Sequence, residues 1–236
     1  MSEHAYPARP VRAGSAVTDL PGRGAPLSRP GPGVPLAIAL ACVLAGALTW
    51  LVAELVPAAH LRDALALHEF TRLDKPRVDR VGSFLVHLLK PDLFILWGIA
   101  LVAFAISRER PRVALAVAVI LALAPFTAET LKPLLAHSHV RVGDVQIGAA
   151  SWPSGHATAA MALVLSAVLV APARLRPAVA VLGGGFAVAI GFFLLVLAWH
   201  MPSDVLGGYL VAALWTSLAV AALRAGERRW PTGKPL

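Results

Sequence analysis

Along most of this chain, apolar residues arrive in long blocks separated by short polar stretches. Residues 34–53 carry no charge and match the roughly 20 residues a helix needs to cross a bilayer. Five further blocks follow: PDLFILWGIALVAFAIS, VALAVAVILALAPFTAETL, ATAAMALVLSAVLVA, AVAVLGGGFAVAIGFFLLVLAW and VLGGYLVAALWTSLAVAAL. They predict six transmembrane helices, the second of which is short and is extended by a start near Val81. The stretch HLRDALALHEFTRL is different. Leu61, Leu65 and Phe70 recur at helical spacing with charges between them, which predicts an interfacial helix lying on the membrane surface. The expected fold is therefore all-α, a polytopic membrane bundle of six spans plus that helix. Residues 1–33 lack periodicity and are rich in Pro and Gly, so they read as a disordered tail. Residues 34–223 form one six-span domain, and 224–236 form a polar, basic C-terminal tail.

Composition strengthens this picture. Hydrophobic residues make up 58% and charged residues 14%, against about 25% charged in a soluble domain. The formal net charge is +8, but Arg and Lys lie mostly between the apolar blocks and form no stripe. Nucleic-acid binding is therefore not expected. Cys42 is the single cysteine and cannot form an internal disulfide. The first apolar run is long enough to remain as an anchor instead of being a cleaved signal.

Loop charges set the expected orientation. Arg108, Arg110 and Arg112 lie between spans two and three, and Arg174 and Arg176 between spans four and five. Arg224, Arg228 and Arg229 follow span six, and Arg9, Arg12, Arg23 and Arg29 precede span one. Six spans put all of these on one side, which the positive-inside rule makes cytoplasmic. Both termini are then cytoplasmic, and loops 58–90, 132–153 and 200–203 face outward. Arg62, Arg72, Lys75, Arg77 and Arg80 in 58–90 run against that trend.

The outward loops hold the chemistry. Lys132 ends span three, Ser154, Gly155 and His156 open span four, and His200 and Asp204 join spans five and six. Ionisable groups at membrane edges are costly and mark function. A helix start offers free N–H groups to an anion such as phosphate. Gly155 lets the ligand come close, Ser154 adds a donor, and Lys132 adds a point charge. His200 and Asp204 are four residues apart, so the carboxylate can fix the ring tautomer and leave the other nitrogen to attack phosphorus. His156 then serves as general acid. The plainer readings are a snorkelling lysine, a surface histidine, and Ser203 with Asp204 as a helix cap. Three clusters on one membrane face are harder to explain that way. Glu129, one turn before Lys132, reads as its ion-pair partner at i, i+3 spacing, with lining of the pocket as the alternative.

With PSGH at 153–156, HMPSD at 200–204 and Lys132 in place, the chain resembles the type 2 phosphatidic acid phosphatase superfamily of integral membrane lipid phosphatases. That family carries a Lys followed seven residues later by Arg-Pro, then PSGH, then Ser-Arg with a downstream His and an Asp four residues after it. The resemblance covers about residues 34–223. It implies a helical bundle with six spans in bacterial members, and no metal or other cofactor. It also implies His200 as the nucleophile forming a phosphohistidine, Asp204 as its orienter and His156 as the proton donor. Lys132, Ser154 and the Gly155 backbone would bind phosphate. The expected substrate is a phosphate or pyrophosphate monoester of an acyl or isoprenyl lipid, attacked at the outer face of the plasma membrane.

Two positions depart from the family pattern. The first-motif Arg falls on His139, followed by Val140, and the Ser-Arg pair falls on Phe193 and Leu194. His137, His139 and Arg141 cluster just after Lys132 and are the candidates to make up the missing phosphate-binding charge. A protonated histidine there would make activity fall as pH rises through about 6.5. Competing readings are phosphotransfer to another acceptor, a non-catalytic lipid-binding bundle, and a metalloenzyme built on His137, His139, His156 and His200. The glycine runs Gly183–Gly185 and Gly207–Gly208 permit close helix packing, within one chain or in an oligomer.

Overall fold

A computed structural model describes residues 31–140, 142–143 and 145–230. Arg141, the first 30 residues and the last six lie outside the described residues, so the expected N-terminal tail is almost wholly outside them. The described chain folds into eight helices: α1 (Gly33–Leu55), α2 (Pro57–Thr71), α3 (Pro76–His87), α4 (Pro91–Ser107), α5 (Pro111–Leu134), α6 (Gly155–Val170), α7 (Arg176–Val196) and α8 (Pro202–Arg229). Apart from one isolated bridge between Val142 and Val145, the described residues contain no β-structure. Proline stands in the first turn of α2, α3, α4, α5, α7 and α8. There its missing N–H leaves no intrahelical bond unmade.

Each of the six apolar blocks becomes a helix. Four are long and apolar enough to cross a bilayer: α1, α5, α7 and α8. α3 and α4 together make a fifth candidate, bent by 53° at the break between them. The second span thus does not run continuously back to Val81. α6 is equally apolar but has only 16 residues. Lipid-facing composition shows on the outer surface, where Leu182 is 75% exposed and Phe126 66%. Such a surface suits contact with hydrocarbon.

The core has two parts. One lies among α4, α5, α6 and α8, around Val117, Ile120, Ala162 and Ala212. The other joins α2, α3, α6, α7 and α8, around Leu67, Val86, Ala160 and Leu194. The helix expected over HLRDALALHEFTRL is α2, which packs against the bundle together with α3. Leu67 of α2 is 1% exposed, and Gly82 of α3 leaves just enough room for the Phe193 ring. α8 continues as helix through Arg229, so the basic residues 224–229 are its last turns and not a tail.

The basic loops gather at one end. Arg112 donates to Trp230 O at 2.8 Å and lies 3.5 Å from Glu227. Arg110 reaches the carbonyls closing α6, and Arg224 the Gly31 carbonyl. Lys132, Ser154 and His200 sit at the opposite ends of α5, α6 and α8.

Candidate active site

The site is assembled where α6 meets α8. Ser154 is fully buried at the N-cap of α6, where its Oγ accepts from Ala157 N–H at 3.3 Å. Its own N–H donates to the Asp204 carbonyl at 2.9 Å, which locks the start of α6 onto the first turn of α8. Gly208 makes this possible, since a Cβ there would lie 2.6 Å from Ser154 O and 3.0 Å from Thr158 N. α6 therefore begins with the Gly155 and His156 N–H groups lacking any i−4 carbonyl.

Asp204 combines two jobs. Its Oδ2 accepts from Met201 N–H at 2.9 Å, as an acidic third residue does at a helix start, and lies 3.3 Å from His200 Nδ1. The carboxylate is wholly buried, and its Oδ1 has no hydrogen-bond partner. The 3.3 Å separation is at the long end for a hydrogen bond, and such contacts tighten when substrate binds. Donation of Nδ1–H to Asp204 leaves His200 Nε2 as the free lone pair. The side chain thus caps the start of α8, and the same oxygen stands beside His200 Nδ1.

His156 and Lys132 complete the cluster. The His156 ring meets Trp199 edge to face, with centroids 5.5 Å apart, and lies within electrostatic reach of His200, Lys132 and Glu129. Lys132 Nζ is paired with Glu129 Oε1 at 2.6 Å. That pair rests directly on Gly155: a Cβ there would be 2.6 Å from Glu129 Oε1 and 3.4 Å from Lys132 Nζ. A carboxylate thus lies where the helix start favours an anion. Glu129 thus both pairs with Lys132 and lies against the start of α6.

A family model described as the PAP2 superfamily matches residues 95–227, more than half of the chain. The chain belongs to the PAP2 superfamily. Its fold is similar to the crystal structure of the first transmembrane PAP2 type phosphatidylglycerolphosphate phosphatase from Bacillus subtilis. That match has 18% identity and a TM-score of 0.64, and covers 85% of this chain and 98% of that one. No curated protein matches the chain.

The variant PAP2 motif positions are explained by where they fall. Leu194 is 0% exposed inside the apolar core, and Phe193 packs on α3, so no cation enters the site from that turn. His139 is turned toward α1 and α2. Its Nε2 is 2.9 Å from Ser151 Oγ, its Nδ1 is 3.7 Å from Glu54 Oε2, and its ring stacks 5.6 Å from His60. Burial pushes the His139 imidazole below its ordinary range. His60 and His137 add to this, while Asp204 and a Gly148 backbone hydrogen bond oppose it. The neutral form is favoured at neutral pH, so the expected phosphate-binding imidazolium and its pH dependence are not supported by this placement. The His137 ring also sits against His60, at 6.1 Å. Arg141 lies outside the described residues.

Sequence reasoning missed the acidic side chains behind the site. Asp63 of α2 accepts from Ser203 Oγ at 2.6 Å and from Ser203 N–H at 3.3 Å, tying α2 to the start of α8. Burial pushes its carboxyl up, and nearby Asp204 adds to that, while the Ser203 hydrogen bonds and His60 pull the other way. Beside this contact opens a cavity of about 610 Å³, lined by apolar residues of α1, α2 and α8 with Arg62 and Asp63 at its polar edge. In the sequence Asp63 was one of several charges on an amphipathic stretch, with nothing local to single it out.

Proposed function

We propose that this PAP2 protein hydrolyses the phosphate or pyrophosphate monoester of a membrane lipid at the extracytoplasmic face through a phosphohistidine on His200. The observation that carries the proposal is the meeting of Lys132, the open start of α6, His156 and the His200–Asp204 pair at one end of the bundle. The Gly155 and His156 N–H groups, the Ser154 hydroxyl proton and Lys132 would hold the phosphate oxygens. His200 Nε2 attacks phosphorus while the bond from phosphorus to the lipid oxygen breaks. Asp204 keeps the proton on Nδ1 and balances the charge that develops on the ring. His156 gives its proton to the leaving oxygen, then takes one from the water that cleaves the phosphohistidine. The products are inorganic phosphate and a lipid alcohol, or a lipid monophosphate from a pyrophosphate. These side chains supply the charges of the transfer, with no metal in the step.

The clustering of basic residues at the end remote from the site supports an outward-facing site in the plasma membrane, with both termini inside. A lipid substrate fits a site at a bilayer edge beside an apolar cavity. The structurally similar Bacillus protein is named for a lipid carrying a phosphate monoester, which makes that class the first to test. Phosphate release should be measured from a panel of lipid phosphates and pyrophosphates in detergent. One or more should be cleaved by the wild type, and His200→Ala should lower the rate by on the order of 10⁴-fold or more. Equal turnover by both proteins would leave a lipid-binding bundle as the better account.

A further inference from the structure

Behind the His200–Asp204 pair lies a second polar cluster that the reaction does not use. Glu54, at the end of α1, His60 of α2 and His139 of the loop after α5 each present a ligand atom, and the three atoms lie within 4.8 Å of one another. Glu54 Oε2 is 3.5 Å from His60 Nδ1 and 3.7 Å from His139 Nδ1. Four-coordinate zinc with bonds of about 2.0–2.1 Å needs ligand atoms roughly 3.3–3.4 Å apart, so only small movements separate these two edges from that geometry.

The hydrogen bonding points the same way. Glu54 Oε2 and His139 Nδ1 are both buried without a partner, on side chains 2% and 4% exposed. Their separation is too long for a hydrogen bond. In the tautomer that donates Nε2–H to Ser151 Oγ, the Nδ1 lone pair is aimed at a carboxylate oxygen. Two electron-rich atoms facing each other in a buried space are costly unless a proton or a metal cation lies between them. Asp204 and Asp63 add further negative charge within electrostatic reach of Glu54. Ser151 stands where an outer-shell partner of a metal-bound imidazole stands.

We propose that Glu54, His60 and His139 bind one divalent transition-metal ion, with zinc the natural occupant of this two-imidazole, one-carboxylate set. The ion would fasten the α1–α2 junction to the loop between α5 and α6, apart from the reacting phosphorus. His60 is the ligand that must adapt. Its Nε2 now accepts Val140 N–H at 2.8 Å and its Nδ1 meets Ala53 O at 2.9 Å, so Nδ1 carries the proton. Binding through Nδ1 moves that proton to Nε2 and releases the Val140 N–H, so loading the site also rearranges the loop at Val140.

The test uses the full chain in detergent, without an affinity tag, stripped by a chelator, exposed to zinc chloride and desalted. Metal content should be close to one zinc per chain in the wild type and in His87→Ala, a distant exposed histidine. It should fall close to zero in Glu54→Gln and His139→Ala. Cobalt(II) should give the wild type the visible absorption of a four-coordinate ion. A wild type that retains no zinc overturns the proposal, as do folded Glu54→Gln and His139→Ala proteins that keep the wild-type amount. Should either variant aggregate, the wild-type cobalt spectrum decides, and absence of the four-coordinate band counts against the site. None of these readouts depends on lipid turnover, so the site stands or falls separately from the proposed phosphatase activity.

Discussion

Asp204 separates two polar regions built on opposite plans. On one side, Lys132, Gly155 and His156 are partly open around a buried His200, and Lys132 already has a carboxylate within reach. On the other, the Glu54 and His139 side chains are nearly sealed, with unpartnered acceptor atoms turned toward each other. The open side keeps donors available for an anion that arrives and leaves. The closed side has acceptors in excess, which suits a cation or a fixed packing role. Asp204 serves both, through Oδ2 to His200 and Met201 and through its charge to Glu54 and His139. In this bundle, then, accessibility and the sign of the missing partner separate the proposed substrate site from the proposed fastening site better than residue type does, since both contain histidines and carboxylates.

The sharpest way to break the comparison is at its shared residue. Asp204→Asn keeps the shape but offers His200 the wrong partner, so turnover should fall by roughly 10²–10⁴-fold. Protein stability should change far less, by about 1 kcal/mol from the weakened helix cap. Steady-state kinetics alongside thermal unfolding would separate the two, and a large stability loss with unchanged kcat per folded molecule would mark Asp204 as structural only.

A smaller effect is expected on the open side. In the proposed reaction Glu129 would compete with substrate phosphate for Lys132 and the start of α6, but the pair is solvent-accessible and worth about 0.2–1 kcal/mol. Glu129→Gln should therefore lower KM by about 1.5- to 5-fold with kcat nearly unchanged. A raised KM would mean that Glu129 helps to position Lys132 and does not oppose the ligand.

The least effect should come from the closed side, through Asp63. Its folded-state carboxyl is held above its ordinary 3.8, so the folded chain binds that proton more tightly than the unfolded one. Its contribution to stability is then greatest below the ordinary value and is lost as pH rises through the raised one. The stability of wild type relative to Asp63→Asn should grow as pH is lowered from about 7 to 4. Thermal unfolding across that range measures it, and a difference that shrinks instead would show that the Ser203 hydrogen bonds outweigh burial.

The apolar runs made the helices legible because a span announces itself locally, by length and lack of charge. Lys132, PSGH and His200 with Asp204 were legible for a related reason, since polar groups at the ends of such runs stand out. Leu194 already implied a missing cation, and its burial in the core accounts for it. The break between α3 and α4 was not legible, because the residues around Lys90 fit a helix start as readily as a continuation. Nor were Glu54, His60 and Asp63 recognisable as a group. Their significance comes from partners 80 to 140 residues away, and periodicity carries no information at that range. Motif spacing makes His139 one of three candidates for the phosphate, with His137 and Arg141, while the loop stacks its ring on His60. The glycines open to either packing mode proved to be split: Gly183, Gly207 and Gly208 meet side chains or backbone of their own chain, and Gly184 and Gly185 face open space.

The central claim is that phosphate passes through His200. Rapid acid-free quenching of the protein with a lipid substrate labelled in its terminal phosphate should trap label on the wild-type chain, stable in alkali and lost in acid as a phosphoramidate is. His200→Ala should carry none. Label of the same stability on His200→Ala, or turnover by the wild type with no labelled protein at any time point, would contradict the account.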